Sequence, residues 1–111
     1  MLPSNLIVVL EYCDLNGRSP FASWFDGLNA QAAAKVAVAL SRLEYGNFSS
    51  VKSVGGGVME HKIDFGPGYR IYFGKDGNRL VILLGGGTKQ RQRDDIRVAH
   101  ARWADYKQRK K

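Results

Sequence analysis

The chain has 111 residues, of which 44% are hydrophobic, which fits one folded domain and excludes a disordered chain. A single cysteine, Cys13, excludes an internal disulfide and a cysteine-rich zinc site. The aliphatic run 6–10 is too short to cross a bilayer. We therefore expect a cytoplasmic protein without membrane attachment. The net charge of +7 favours a polyanion such as nucleic acid as partner, although a basic surface can also serve solubility alone.

The N-terminal half predicts one strand followed by two short helices. The aliphatic run 6–12 is typical of a strand. Ser19 is a side-chain cap and Pro20 suits the first helical position, so a helix begins there. Asn29 caps a second helix, which stops near Tyr45 before a Gly-Asn pair. Two amphipathic helices in succession form a helical hairpin that must pack on an apolar surface.

The C-terminal half predicts that surface. Three strands are indicated at 58–65, 69–73 and 80–84, and residues 51–54 are compatible with a further short strand. A final helix begins at about Gln92. The predicted order is β-α-α-β-β-β-α, which makes residues 1–111 a single α+β domain with a twisted antiparallel sheet.

Basic residues are concentrated at the C-terminal end. Residues 89–111 contain nine lysines and arginines against three aspartates, whereas residues 1–88 contain eight basic and seven acidic residues. This asymmetry places almost the whole positive charge on the last predicted helix and the segment before it.

Two further cations lie on one face of the predicted hairpin. Lys62 and Arg70 belong to the polar faces of strands joined by the turn 66–68, where opposed Cβ atoms are about 5 Å apart. Like charges at that distance repel each other unless an anion is bound between them. The alternative is that Glu60 and Asp64 pair with Lys62 and Arg70 as a surface ladder.

Other polar residues are expected near the same face. Lys52 lies one strand earlier, while Lys89, Arg91 and Gln92 follow the end of the last strand. Cations beside a tyrosine such as Tyr72 suit RNA cleavage, because the 2′-hydroxyl is an internal nucleophile. The protein then orients it and stabilises the negatively charged transition state, and no metal is required.

Signals for other chemistries are missing. His61 and His100 lack the paired spacing of a zinc helix, and the glycine runs 55–57 and 85–87 lack the continuation of a phosphate-binding P-loop. We therefore expect no metal and no cofactor. The glycine runs are expected to form a bulge or allow close backbone approach, and His61 is expected to pack inside.

Several segments carry a resemblance to a known family: Ser19-Pro20-Phe21, Trp24-Phe25, 42–48, Val51-Lys52, 57–60, 64–73, 83–92 and Asp95-Ile96. Together they resemble the addiction-module killer proteins, a phage-related, HigB-like branch of the RelE/ParE toxin superfamily. The likeness extends from about residue 7 to 106. Its most specific parts are Gly-Pro-Gly-Tyr-Arg at 66–70 and Gly-Gly-Gly-Thr-Lys at 85–89.

The resemblance implies the toxin of a type II toxin–antitoxin pair with a RelE-like fold, in which two N-terminal helices and a C-terminal helix pack on the sheet. Many members are thought to cut mRNA on the ribosome without a metal, leaving a cyclic phosphate end. Their usual partner is a helix-turn-helix antitoxin, which we expect here beside mRNA and the ribosome.

The resemblance also assigns site residues. Arg70 and Lys89 match basic positions of this branch, and Gln92 and Lys52 match a polar position and a lysine position. Lys62 stands where arginine is usual, and lysine lacks the bidentate fork that binds phosphate. His61 stands where leucine is usual.

The leading hypothesis is a ribosome-associated mRNA endoribonuclease that inhibits translation. We expect catalytic roles for five residues: Arg70, Lys89, Lys62, Tyr72 and Glu60. We expect RNA binding by five others: Lys52, Arg91, Gln92, Arg93 and Arg97. Two alternatives remain: a ParE-like toxin that poisons DNA gyrase, and a non-catalytic module that binds nucleic acid or its antitoxin.

Overall fold

The structure is a computed structural model that describes residues 6–110. Three helices pack on one five-stranded sheet, the α+β architecture that was expected, and it is consistent with a RelE-like fold. The strands are β1 Val8–Glu11, β2 Val51–Ser53, β3 Val58–Ile63, β4 Tyr69–Lys75 and β5 Leu80–Thr88. The helices are α1 Pro20–Asp26, α2 Ala30–Glu44 and α3 Gln92–Lys110, with a short 3-10 turn over Lys89–Arg91 before α3. Four strands rather than three follow α2, and Lys111 lies outside the described residues.

Local side-chain chemistry begins the first two helices where the sequence predicts. The Ser19 hydroxyl accepts a hydrogen bond from the Ala22 N–H at 3.0 Å, and Asn29 Oδ1 accepts from the Ala32 N–H at 2.8 Å. Each bond satisfies a backbone donor that has no partner within its helix. Gly46 follows α2 with a φ of 77°, a left-handed conformation that ends the helix at little steric cost.

The strand directions differ from the prediction at one edge of the sheet. The order is β1-β5-β4-β3-β2, and β2 to β5 pair antiparallel as expected. β1, however, pairs parallel to β5, so the sheet is mixed rather than wholly antiparallel. Parallel neighbours need a long connection, and the two helices and three intervening strands supply it. The alternation of inward and outward side chains along β1 does not reveal whether this strand runs parallel or antiparallel to its neighbour.

Each face of the sheet is covered by different helices. The face under α1 and α2 buries alternate residues of the central strands: Ile71, Phe73, Val81 and Leu83. The opposite face, under α3, buries the residues between them: Tyr72, Ile82 and Leu84, with Val58 of β3 and Trp103 of α3. The continuous apolar run 80–84 is therefore covered on both faces. Glu60 and Lys62 of β3 and Arg70 of β4 lie on the α3 face, in register with Tyr72.

The last strand is longer than predicted. Instead of ending at Leu84, β5 continues through three glycines to Thr88. Tyr72 pairs with Gly85 and Phe73 pairs with Leu83, so Leu84 is the extra residue of a β-bulge. Gly85 at the bulge has a φ of 155°. The predicted bulge is thus confirmed, but it lies inside the strand and not after it.

Two of these glycines let helices approach the sheet closely. A Cβ atom at Gly86 would overlap the indole ring of Trp24 in α1, and a Cβ at Gly87 would overlap the Asp95 carboxylate in α3. The predicted close approach is confirmed on both faces of β5. It brings the first turn of α3 directly over the strand end.

Polar contacts fasten the C-terminal half of α3. The Tyr12 hydroxyl donates to Asp105 Oδ2 at 2.7 Å, which ties α3 to the end of β1. The Tyr106 hydroxyl donates to Asp76 Oδ2 at 2.8 Å, and Lys110 Nζ lies 2.6 Å from Asp76 Oδ1. These bonds join α3 to the turn between β4 and β5, and so fix the helix whose N-terminus lies over the polar residues.

These contacts predict that the protein becomes less stable in acid. Hydrogen bonds from Lys110 and Tyr106 lower the pKa of Asp76 from its ordinary 3.8, and that from Tyr12 lowers the pKa of Asp105. At these two carboxylates the unfolded chain therefore binds more protons, so their contribution to the free energy of unfolding falls as pH drops from above the ordinary value through the folded pKa. Urea denaturation at about pH 5 and about pH 3 measures this loss.

The matched control for this prediction is Asp26→Asn. Asp76→Asn should make the loss between the two pH values smaller, because one of the titrating carboxylates is gone. Asp26 is exposed and makes no ion pair with the described residues, so Asp26→Asn should leave the loss unchanged. An equal loss in all three proteins would contradict the role of Asp76.

Candidate functional site

Polar side chains from three neighbouring strands meet on the α3 face of the sheet. In the β3–β4 hairpin, Glu60 lies opposite Tyr72 and Lys62 lies opposite Arg70. β2 places Lys52 opposite Glu60 on its other side. The register of adjacent antiparallel strands therefore brings together residues far apart in sequence.

The Glu60 carboxylate is the centre of this group. Its Oε2 atom accepts a hydrogen bond from Gln92 Nε2 at 2.9 Å and lies 3.7 Å from Arg70 Nε. Its Oε1 atom lies 3.7 Å from Lys52 Nζ. Glu60 is 1% exposed and Arg70 is 4% exposed, whereas the Lys52 side chain is 66% exposed. We call these four residues, Lys52, Glu60, Arg70 and Gln92, the Glu60 cluster.

A backbone carbonyl links this cluster to the segment that carries Lys89. Arg70 Nη1 donates to the Gly68 carbonyl at 3.4 Å, a long contact, and the Lys89 N–H donates to the same oxygen at 2.9 Å. The guanidinium and the start of the 3-10 turn are thus held by one acceptor. The Lys89 side chain itself is exposed, so it is available to a ligand above the buried arginine.

Three buried polar atoms in and beside the cluster lack hydrogen-bond partners among residues 6–110, and one of them is Arg70 Nε, which faces Glu60 only at ion-pair distance. The Tyr72 hydroxyl, in a residue 1% exposed, and Asp95 Oδ2 make no hydrogen bond with the described residues. Burial, and then the charge of Glu60, raise the pKa of Tyr72, and burial raises the pKa of Asp95. Tyr72 therefore remains protonated at neutral pH, and its ring presents no free face to solvent.

Comparison with known proteins identifies the family. Residues 23–104 match the model of a family described as phage-derived protein Gp49-like (DUF891). The chain belongs to this family. It is also 46% identical over 80 residues to an uncharacterized protein of Haemophilus influenzae, a match that covers 71% of this chain and 81% of that relative. The Gp49-like family is of the toxin–antitoxin type, and the matched segment contains the whole Glu60 cluster.

The remaining predicted residues of this Gp49-like chain surround the cluster without entering it. Arg91 and Arg93 are exposed beside Lys89. Lys62 pairs with Asp64 at 3.5 Å, and Arg97 pairs with Asp94 at 3.8 Å along α3. The surface-ladder alternative holds only in part. Lys62–Asp64 is an exposed pair within one segment of the chain, and Arg70–Glu60 joins two strands but is buried.

Asp95 belongs to the Asp95-Ile96 segment of the family resemblance, and the sequence assigns it no role in the site. The structure places it beneath α3, against the backbone of Gly87. The glycine run 85–87 was the available signal, since a strand without side chains at this point allows a neighbouring group to approach. The pattern does not tell which group approaches.

No metal site is formed by the described residues. Among residues 6–110, no group of three or more His, Cys, Asp and Glu side chains could hold a metal ion. His100 Nε2 lies 3.0 Å from the Val54 carbonyl, and His61 is buried on the face under α2. Within the same residues, no helix is long and apolar enough to cross a membrane.

Proposed function

We propose that this chain is the toxin of a type II toxin–antitoxin pair, and that it is an endoribonuclease of the HigB-like branch that cuts mRNA on the ribosome in the cytoplasm. One observation carries the proposal: a buried guanidinium, Arg70, is paired with Glu60 at 3.7 Å, near exposed cations that include Lys52 and Lys89. A preorganised charge shielded from water stabilises developing negative charge better than a mobile surface charge does.

The chemistry suits this arrangement because RNA supplies its own nucleophile. The 2′-oxygen forms a bond to the adjacent phosphorus while the bond from phosphorus to the 5′-oxygen breaks, leaving a 2′,3′-cyclic phosphate and a 5′-hydroxyl. The 2′-proton passes to water, and the 5′-oxygen gains a proton from water or from the Lys89 ammonium. The protein contributes orientation through Lys52 and Lys62 and charge stabilisation through Lys89, with Arg70 beneath.

We assign Glu60 and Tyr72 to the support of these cations. Both are buried, and a general base must come within hydrogen-bond reach of the proton it removes. Each Glu60 oxygen already faces a cation or an amide donor. Tyr72, whose pKa is raised, remains a neutral phenol beneath the site.

The exposed cations of the 3-10 turn and α3 extend the proposed RNA surface. Arg91, Arg93 and Arg97 continue away from the Glu60 cluster along the segment with most of the positive charge. Such a row contacts phosphates without reading sequence. We propose that it contacts ribosomal RNA, and that the partner of the free toxin is a helix-turn-helix antitoxin.

Cleavage of mRNA on purified ribosomes tests the proposal. Ribosomes translating a defined mRNA are mixed with the protein, and the RNA ends are mapped and tested for 5′-hydroxyl and cyclic phosphate groups. Lys89→Ala should reduce the cleavage rate on the order of 100-fold, as expected for loss of one charge-stabilising donor. Lys75→Ala is the matched control and should leave the rate unchanged. Lys75 is also an exposed lysine, but it lies at the end of β4 that is far from Arg70.

Two outcomes would overturn the nuclease proposal. Intact mRNA together with a DNA-damage response on induction in cells would assign the chain to gyrase poisoning. RNA binding that falls steeply with salt, without cleavage on ribosomes, would assign it to a non-catalytic binding module. The burial of Glu60 and Tyr72 favours this second candidate. A carboxylate and a phenol that lie below the surface cannot exchange a proton with bound RNA.

A further inference from the structure

A cationic concavity lies on the face of the sheet opposite the Glu60 cluster, under α2. It is a groove of about 330 Å³ between α2 and the C-terminal end of β3. Its polar lining consists of Lys35 and Arg42 from α2, Ser50 before β2, and His61, Lys62 and Asp64 at the end of β3. We call it the α2 groove. Its volume lies at the lower end of the range for ligand pockets, about 300–1,000 Å³.

The charges of the α2 groove favour an anion. Three cations line it against one carboxylate, and Asp64 is already 3.5 Å from Lys62. The Lys35 ammonium lies 5.4 Å from the centre of the Phe65 ring. The Arg42 guanidinium makes no ion pair or hydrogen bond with the described residues, although it lines the groove. It is therefore a fork of donors available to a phosphate.

A neutral histidine adds a hydrogen-bond acceptor to these donors. His61 is 2% exposed, and its Nδ1 atom lies 3.2 Å from the Lys62 carbonyl. A carbonyl only accepts, so Nδ1 carries the hydrogen. Burial lowers the pKa of His61, and the charge of Arg42 lowers it further, against the effect of the Lys62 contact. The ring is neutral at pH 7, and Nε2 remains an acceptor without a partner among the described residues.

The α2 groove and the Glu60 cluster are neighbours at Lys62. Val51, the first residue of β2, lies opposite His61, so the regular pairing of β2 with β3 ends next to Lys62. The Lys62 N–H donates to the Ser50 carbonyl at 3.2 Å there. Lys62 lines the groove and also lies opposite Arg70 in the register.

We propose that the α2 groove binds one nucleotide of a single-stranded RNA whose neighbouring phosphates pass Lys62 towards the Glu60 cluster. Arg42 and Lys35 contact the phosphate, and His61 Nε2 accepts a hydrogen bond from a base amino group. Carboxylate side chains of an acidic peptide supply no such donor, which favours RNA. The inference rests on the proposed function, because it extends the path of the same RNA.

Binding of an uncleavable RNA tests this inference. The probe is a fluorescent 2′-O-methyl oligoribonucleotide of about eight nucleotides, a usual site size for single strands. Arg42→Gln should weaken its binding about 3- to 10-fold and lower the slope of log affinity against log salt by about one. Arg18→Gln is the matched control, since Arg18 is exposed in the loop between β1 and α1, and its binding should equal that of the wild type.

His61 provides a second variant and a direct readout. His61→Leu fills the buried position with an apolar side chain and removes Nε2. It should therefore also weaken binding of the oligonucleotide. In the wild-type protein, the imidazole NMR signals of His61 should shift when the oligonucleotide is added. Unchanged affinity in both Arg42→Gln and His61→Leu would overturn the inference.

The outcomes separate this inference from the proposed function. If Lys89→Ala weakens binding while Arg42→Gln and His61→Leu do not, only the α2 groove is excluded. If the wild-type protein cleaves mRNA on ribosomes but does not bind the oligonucleotide, this inference is wrong and the proposed function stands. If an aspartate-rich peptide shifts the His61 signals and the oligonucleotide does not, the groove is a protein-docking site and the inference is wrong.

Discussion

Arg70→Ala should both inactivate the protein and destabilise it, by about 3–5 kcal/mol, the usual cost of removing one partner of a buried ion pair. The Glu60 carboxylate would stay buried, with the Lys52 ammonium, 66% exposed, as its remaining cation. Loss of toxicity in this variant would therefore not distinguish a missing catalytic charge from an unfolded protein. Urea denaturation of Arg70→Ala measures the stability term.

Arg70→Lys separates the two effects. Lysine keeps a positive charge beside Glu60 but lacks the fork that contacts both Glu60 and the Gly68 carbonyl. We expect this variant to remain folded and to cleave mRNA at least about 10-fold more slowly, since preorganised geometry contributes to transition-state stabilisation. Arg93→Lys, at an exposed position of α3, is the control. Wild-type cleavage by Arg70→Lys would show that the guanidinium geometry is not used.

Features of the fold that depend on neighbouring residues were predictable from the sequence. Ser19 and Asn29 cap their own helices, and Gly46 adopts the left-handed conformation that ends α2. The alternation in β3 and β4 also placed Glu60, Lys62, Arg70 and Tyr72 on one face. These signals are local, so one sequence contains them.

Features set by long-range packing were not predictable. The parallel direction of β1 depends on where the chain returns, as β5, after three other strands. The burial of Arg70 and Glu60 depends on where the first turn of α3 lies. The apolar stripe of α3 predicts that it packs on a sheet, but not that Gln92 reaches Glu60. If α3 began further along the chain, Glu60 and Arg70 would form an exposed pair on the surface of the sheet.

Glu60→Gln should reduce stability and RNA cleavage without changing the pH dependence of cleavage. The substituted amide can still accept from Gln92, but Arg70 is left buried without a counter-charge, which costs about 3–5 kcal/mol. If Glu60 removed the 2′-proton, its loss would lower the rate about 10²- to 10⁴-fold and abolish the acid limb of the pH–rate profile. Because the carboxylate is buried and each oxygen faces a donor or a cation, we expect the profile to keep its shape.

A double-mutant cycle with Arg70 shows whether the two charges act as a unit. Glu60→Gln/Arg70→Gln removes both charges from the same buried space, so it should be less destabilised than the sum of the single variants, with a coupling of about 1–3 kcal/mol. Cleavage by the double variant should be as slow as cleavage by Arg70→Gln alone, since Glu60 acts by holding the arginine. A further loss of rate on adding Glu60→Gln, together with a vanished acid limb, would make Glu60 a general base.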